Sequence, residues 1–205
     1  MATDSNATND QTDNDRHAVT TYLSDMLALE RHMAAPIESQ LKSQDHQEYG
    51  EAVRIIQQIQ TVTQAHISAL ETHLQAMGGH EASGIKSAWS SLLGGGAAAI
   101  NQVRKSKVSK SLRDDYTALG LSAISYTMLN ATALGLGDQA TARLAKQHLD
   151  DITPIIVDIS KTIPTVVLQE LKDDGENVTI SAADLSAQQT GESWSGSKTG
   201  STSGV

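Results

Sequence analysis

The chain has 205 residues, a formal charge of −9 and no cysteine. A folded core of about 150 residues buries roughly two thirds of the surface of its unfolded chain, so it needs no disulfide or structural metal ion to be stable. The lack of cysteine excludes disulfides, thiolate zinc sites and thiol nucleophiles. The acidic charge opposes binding to phosphate backbones, so we expect no nucleic-acid partner.

The two ends of the chain hold few residues that a core could bury. Residues 1–16 are polar and acidic, which predicts a disordered acidic arm. Residues 173–205 are rich in Ser, Thr and Gly, which predicts a disordered tail. We therefore expect one folded domain over residues 17–172.

Nothing in the sequence predicts a membrane span. The most apolar stretch, residues 152–168, contains two prolines, an aspartate and a lysine. The N-terminus has neither the basic nor the apolar part of a secretory signal. Because the lack of cysteine also fits a reducing compartment, we expect a cytoplasmic protein without a membrane partner.

Apolar residues recur at helical spacing in four long segments, which predicts an all-α fold. The first helix covers about 18–43, with Glu30 inside its apolar stripe, and Pro36 is expected to kink it. The second covers about 47–77 and ends at the glycine pair 78–79. A short extra helix is predicted near 84–93, in the middle connection.

The third helix begins at Ser109 or Ser111 as N-cap and ends near residue 134. Because it is apolar nearly all round, we expect it to be the most buried of the four. The fourth starts near Asp138, ends near 171 and contains two prolines that bend or interrupt it. Long helices joined by short turns predict an antiparallel four-helix bundle.

Four inward positions carry residues that bind metals: Glu30, His66, His148 and Asp151. A di-metal centre in a bundle needs a carboxylate from each of two helices and a Glu-x-x-His pair from each of the other two. Residues 116–137 contain no Asp, Glu or His, so a complete di-iron site cannot be assembled. A one-metal site from Glu30, His66 and His148 or Asp151 remains.

The same side chains also have an interpretation without metal. Half-buried carboxylates and histidines usually satisfy each other or bind water. Tyr116 and Tyr126 either lie beside a metal or are core tyrosines whose hydroxyls are hydrogen-bonded. We find no catalytic residue and no site for an organic cofactor, since the glycines at 94–96 lack the following GK[ST] of a phosphate loop.

Four segments carry a resemblance to known proteins: YLSDMLALERHM, AHISALETHLQAM, LRDDYTALGLSAISYTMLNATALGLGD and TARLAKQHLDDI. Over residues 22–171 the chain resembles the ferritin-like superfamily, and within it the YciE/YciF-type bacterial stress-associated proteins. The resemblance implies a four-helix bundle with a di-metal centre, and a homodimer.

Glu30, His66 and Asp151 match metal ligands of that group, and Tyr126 matches its third-helix tyrosine. The acidic positions of the third helix fall near Leu119 and Ser122 and are therefore lost.

These observations predict a ferritin-like bundle with an incomplete di-metal site and a non-catalytic or residual metal-binding role in a stress response. The incomplete site favours a protein that is not an enzyme. The ion would be one divalent iron, manganese or zinc, and the residues are equally compatible with no metal. The alternatives are an active di-iron oxidase or iron-handling protein, and a metal-free structural interaction module.

Overall fold

A computed structural model describes residues 4–43, 48–78 and 107–195. Within these ranges the chain forms helices and no strand, which confirms the all-α prediction. The helices are α1 (Asp4–Lys42), α2 (Gly50–Ala76), α3 (Val108–Gly135), α4 (Gln139–Asp173) and α5 (Ala182–Ser195). The short helix predicted near 84–93 lies outside the described residues.

The first four helices form an antiparallel bundle. Along the seam between α1 and α3, Glu30 bonds Tyr126 whereas Gln40 bonds Asp115, so the two helices run in opposite directions. Contacts between α2 and α4, and between α3 and α4, are ordered in the same opposed way. Because α2 touches α3 little, these two helices lie across a diagonal.

The core is aliphatic, as expected for a chain without phenylalanine. Two apolar blocks fill the halves of the bundle, and a layer of buried polar side chains separates them. One block holds residues from both hairpins (Leu23, Leu70, Leu74, Leu129, Ala133, Ala145). The other is richer in isoleucine (Ile37, Ile55, Ile56, Ile59, Leu112, Leu119, Ile155, Ile159).

The turn between α3 and α4 contains residues typical of a helix end and a helix start. Gly137 has a φ of 76°, a left-handed conformation that favours glycine. Asp138 then caps α4, because its side chain accepts hydrogen bonds from the backbone N–H groups of Ala140 and Thr141. Gly78 likewise has a φ of 72° directly after α2.

The start of α3 is capped differently from the prediction. The N-cap position is Lys107, which makes no side-chain cap, so neither Ser109 nor Ser111 has that role. Instead Glu170 of α4 accepts bonds from the backbone N–H and the hydroxyl of Ser109, at 2.9 and 2.6 Å. A buried carboxylate from another helix therefore satisfies a free backbone donor of α3.

Both predicted disordered ends contain helix. α1 begins at Asp4, far earlier than its predicted start, although its first described buried side chain is Val19. α5 lies inside the predicted tail and packs on α4. Its less exposed positions 183, 187 and 190 have helical spacing but carry small residues, so the Ser/Gly-rich composition concealed them.

α1 is continuous through Pro36, and α4 is continuous through both of its prolines, so the prolines do not interrupt either helix. α3 has an exposed face, on which Ile124 and Met128 are 56% and 48% exposed. None of the helices in the described ranges has the length and apolar character needed to cross a bilayer.

Candidate functional site

The four helices of the bundle each bring one polar side chain to its centre. Glu30 of α1, His66 of α2, Tyr126 of α3 and His148 of α4 are all exposed by 2% or less. Asp151, one turn after His148, lies at the edge with 43% of its side chain exposed. The structure thus brings together all four predicted metal-ligand candidates, and it places Tyr126 among them.

Glu30 is the hub of this central cluster. Its Oε1 accepts a 2.7 Å hydrogen bond from the Tyr126 hydroxyl and lies 3.1 Å from His66 Nδ1. Its other oxygen, Oε2, is buried and has no hydrogen-bond partner. Because a buried polar atom without a partner is costly, the cluster has unused capacity for a donor or a cation at this oxygen.

The His66 ring lies between two carboxylates. While Nδ1 faces Glu30, Nε2 lies 3.4 Å from Asp151 Oδ2. Each ring nitrogen therefore faces a carboxylate oxygen, which can accept a hydrogen bond from it.

His148 stacks face to face on His66, with ring centroids 3.8 Å apart and planes 10° apart. Burial, reinforced by the neighbouring His66, lowers the pKa of His148 to about 3. His148 is therefore neutral near physiological pH.

Tyr126 links His148 to Glu30. Since its hydroxyl hydrogen goes to Glu30, the oxygen accepts from His148 Nδ1–H at 3.0 Å. Burial, followed by the charge of Glu30, raises the pKa of Tyr126 well above its ordinary value. The phenol therefore stays protonated and fixes the His148 tautomer.

The residues do not fit a di-metal centre. At the inner positions of α3 where the resemblance implies acids, Leu119 and Ser122 are both buried, and the Ser122 hydroxyl faces Met33 Sδ at 3.5 Å. Among the described residues, no three His, Asp or Glu side chains are arranged as they stand to hold a metal ion. In the cluster itself, both nitrogens of His66 already face carboxylates.

Other titratable groups that the sequence places nearby lie outside the cluster. Glu71 forms an exposed 2.7 Å ion pair with Arg31, and Asp150 pairs with Lys146 on the surface of α4. Tyr116 lies beside Trp194 of α5, with ring centroids 6.1 Å apart.

His73 belongs to a second polar group, at the α3–α4 turn. The buried Thr141 hydroxyl donates to Asp138 Oδ2 at 2.6 Å and accepts from His73 Nε2 at 2.7 Å. Burial alone would raise the pKa of Asp138, but the bonds from Thr141 and Ala140 outweigh it and lower that pKa. This chain of bonds ties the end of α2 to the start of α4.

A third polar group, at the opposite end, was missed from the sequence. Asp115 of α3 is buried and accepts a 2.9 Å bond from Gln40 Nε2 of α1. Asp115 Oδ2 and Gln40 Oε1 are buried without partners. Burial, reinforced by the charge of Asp114 and opposed by the bond from Gln40, raises the pKa of Asp115 to about 7. The i, i+3, i+4 spacing from Leu112 to Leu119 contained the signal, since Asp115 falls in that stripe.

Comparison with known proteins places the chain in a family. A family profile described as "Domain of unknown function (DUF892)" matches residues 16–172. The chain belongs to the DUF892 family. The DUF892 match contains the whole central cluster and ends before α5.

A solved structure supports the fold of this DUF892 protein. The crystal structure of a protein from Xanthomonas campestris pv. campestris str. ATCC 33913 is similar with a TM-score of 0.65. The similarity covers 79% of this chain and 99% of that chain, at 18% sequence identity. At that identity it shows the bundle fold and nothing about activity. No curated protein matches the chain.

Proposed function

We propose that the central cluster binds one divalent transition-metal ion and that the protein does not act as a di-iron oxidase. Glu30, His66 and Asp151, with His148 beside them, would hold the ion. The observation that carries this proposal is Glu30 Oε2, a buried carboxylate oxygen without a partner next to two imidazoles. Carboxylate and imidazole ligands suit iron, manganese and zinc.

Metal binding would require the cluster to rearrange. Both nitrogens of His66 face carboxylates, and no three ligands among the described residues converge as they stand. Because an imidazole binds a metal only through a nitrogen without a proton, the affinity should increase with pH. The bound ion would supply the charge that neutralises Glu30 and Asp151.

A second ion is disfavoured by charge. Two dications a few ångströms apart need several carboxylates, and within the part of the chain that the structure describes only Glu30 and Asp151 face the cluster. α3 offers Leu119 and Ser122 where further acids would be required. The same deficit argues against rapid oxidation of ferrous iron by oxygen.

Metal content of the protein purified without an affinity tag tests this function. We expect at most one equivalent of iron, manganese or zinc, and stabilisation by added metal that Glu30→Gln or His66→Ala reduces. Glu71→Gln is the matched control, because its carboxylate pairs with Arg31 outside the cluster. Two irons per chain with fast oxygen consumption would refute the proposal. No binding of any of the three metals would favour the metal-free interaction module instead.

The wider role in this proposal follows the resemblance to the YciE/YciF-type proteins, namely a stress-associated protein of the cytoplasm that forms a homodimer. The exposed Ile124 and Met128 on the outer face of α3 support a dimer through that face. Light scattering after size-exclusion chromatography tests it: we expect a dimer that Met128→Lys converts to monomer. A monomeric wild-type protein would contradict it.

A further inference from the structure

A cavity of about 560 Å³ lies where α5 meets the bundle. Its floor is the aliphatic face of α4 around Ile159, Ile163 and Val167. Tyr116 of α3 and Trp194 of α5 form an aromatic wall, and the cavity is partly open to solvent. Its volume lies in the range of sites that enclose small molecules, about 300–1,000 Å³.

Three of the polar side chains around this cavity already have hydrogen-bond partners. Arg113, the charged residue of the lining, has its guanidinium on the carboxylate of Asp114. The hydroxyls of Ser160 and Thr190 donate to backbone carbonyls within their own helices. A charged ligand group would therefore lose its hydration in the cavity and find little to replace it.

We propose that this cavity is a binding site for an uncharged, apolar small molecule of aromatic or acyl character. The apolar lining is partly exposed to water, and a ligand that covered it would remove that apolar surface from water. The site is independent of the central cluster. Its floor belongs to the DUF892 domain, whereas its α5 wall lies beyond residue 172, where the family match ends.

Two fluorescent probes that differ by one charge test the ligand class. N-phenyl-1-naphthylamine is uncharged, and 8-anilino-1-naphthalenesulfonate is the same molecule with a sulfonate. We expect the full-length protein to bind one uncharged probe per chain, at least about tenfold more tightly than the sulfonate, since desolvating the charge costs more than about 1.4 kcal/mol. Equal or tighter binding of the sulfonate would overturn the proposed ligand class.

Filling the cavity tests the location. Ser160→Phe places a ring on the cavity floor and should abolish binding of the uncharged probe. Thr153→Phe is the matched control, because Thr153 is an exposed hydroxyl residue two turns earlier on α4 with a similar bond to its own helix. Should Ser160→Phe lower the melting temperature, Thr190→Phe fills the same space from α5. Unchanged binding in a folded filled variant would overturn the site.

Trp194 provides a direct reporter. Trp89 is the other tryptophan of the chain, so Trp89→Phe leaves Trp194 as the sole donor of tryptophan emission. Saturation with the uncharged probe should quench this emission by energy transfer, and unchanged emission would place the probe elsewhere. Probe affinity that falls as protein concentration rises would show that a second copy fills the cavity, which also overturns the small-molecule site.

Discussion

Glu30 and Asp115 are both buried carboxylates on the seam between α1 and α3, yet their surroundings differ. One oxygen of Glu30 accepts from a phenol and faces an imidazole that can carry positive charge. Asp115 receives a single bond from a neutral amide, and its nearest charged influence is the negative Asp114. The two buried carboxylates are thus tolerated for different reasons. Glu30 has a phenol and an imidazole as partners, whereas the pKa of Asp115 is shifted toward the neutral acid.

The largest expected effect comes from removing the hub of the central cluster. Glu30→Ala leaves the Tyr126 hydroxyl and His66 buried without their acceptor and opens a cavity. We expect the free energy of unfolding to fall by about 4 kcal/mol, as for other broken buried pairs. Urea denaturation in chelator-treated buffer measures this without a metal contribution.

Two variants sharpen this prediction. Glu30→Gln keeps the shape and an acceptor oxygen, so it should cost only about 1–2 kcal/mol. Glu71→Ala breaks an exposed ion pair and should cost less than about 1 kcal/mol. An equal loss for Glu30→Gln and Glu30→Ala would mean that charge, rather than the hydrogen bonds, holds the cluster together.

The second prediction concerns the pH dependence that Asp115 gives to stability. Burial raises its pKa from 3.8 to about 7 in the folded protein. Because the folded state then holds the proton more tightly than the unfolded chain, the stability from this group is fully present below pH 4. It is lost as pH rises through 7. Between pH 5 and pH 8 we expect a loss of about 2 kcal/mol from Asp115.

The pairing with Gln40 explains how the neutral form fits. Asp115 Oδ2 and Gln40 Oε1 are both buried acceptors without a partner. A proton on Asp115 Oδ2 makes that oxygen a donor, and Gln40 Oε1 belongs to the amide that is already bonded to Asp115. Asp115→Asn mimics this neutral form, so it should flatten the pH dependence and be more stable than wild type at pH 8. Asp114→Asn is the control and should retain most of the slope. A wild-type protein whose stability does not fall from pH 5 to pH 8 would contradict this account.

The contrast also marks what the sequence could reveal. Spacing placed Glu30, His66, His148 and Asp151 on inward faces, and the structure brings all four together, because side chains on facing stripes of a four-helix bundle at similar heights must meet. The binding of metal by them stays a prediction. Periodicity also predicted the four bundle helices and the start of the fourth near Asp138.

Other contacts could not be predicted, because residue spacing within one helix does not show which residues of another helix lie opposite. Asp115 and Gln40 are 75 positions apart in the sequence, so predicting their contact requires the relative height of α1 and α3. The exposure of Ile124 and Met128 could not be read from a helix that is apolar all round, since no face is marked as the outer one. α5 was not predicted because the residues on its packed face are small, and the composition of this segment is typical of a disordered tail.

The smallest effect should come from α5, the helix outside the family match. Within the described residues of α5, only Ala183 is buried, and part of the remaining contact surrounds a cavity. A helix of 14 residues is also marginal by itself in water. Ending the chain after Glu176, which retains the glycine that follows α4, should lower the free energy of unfolding by less than about 1 kcal/mol. The urea m-value should decrease only slightly, because it scales with the surface exposed on unfolding.

The truncated chain should also lose the uncharged naphthylamine probe while keeping any metal bound at the central cluster. A fall of about 3 kcal/mol or more would instead show that α5 is part of the core, comparable to the loss of a large buried side chain.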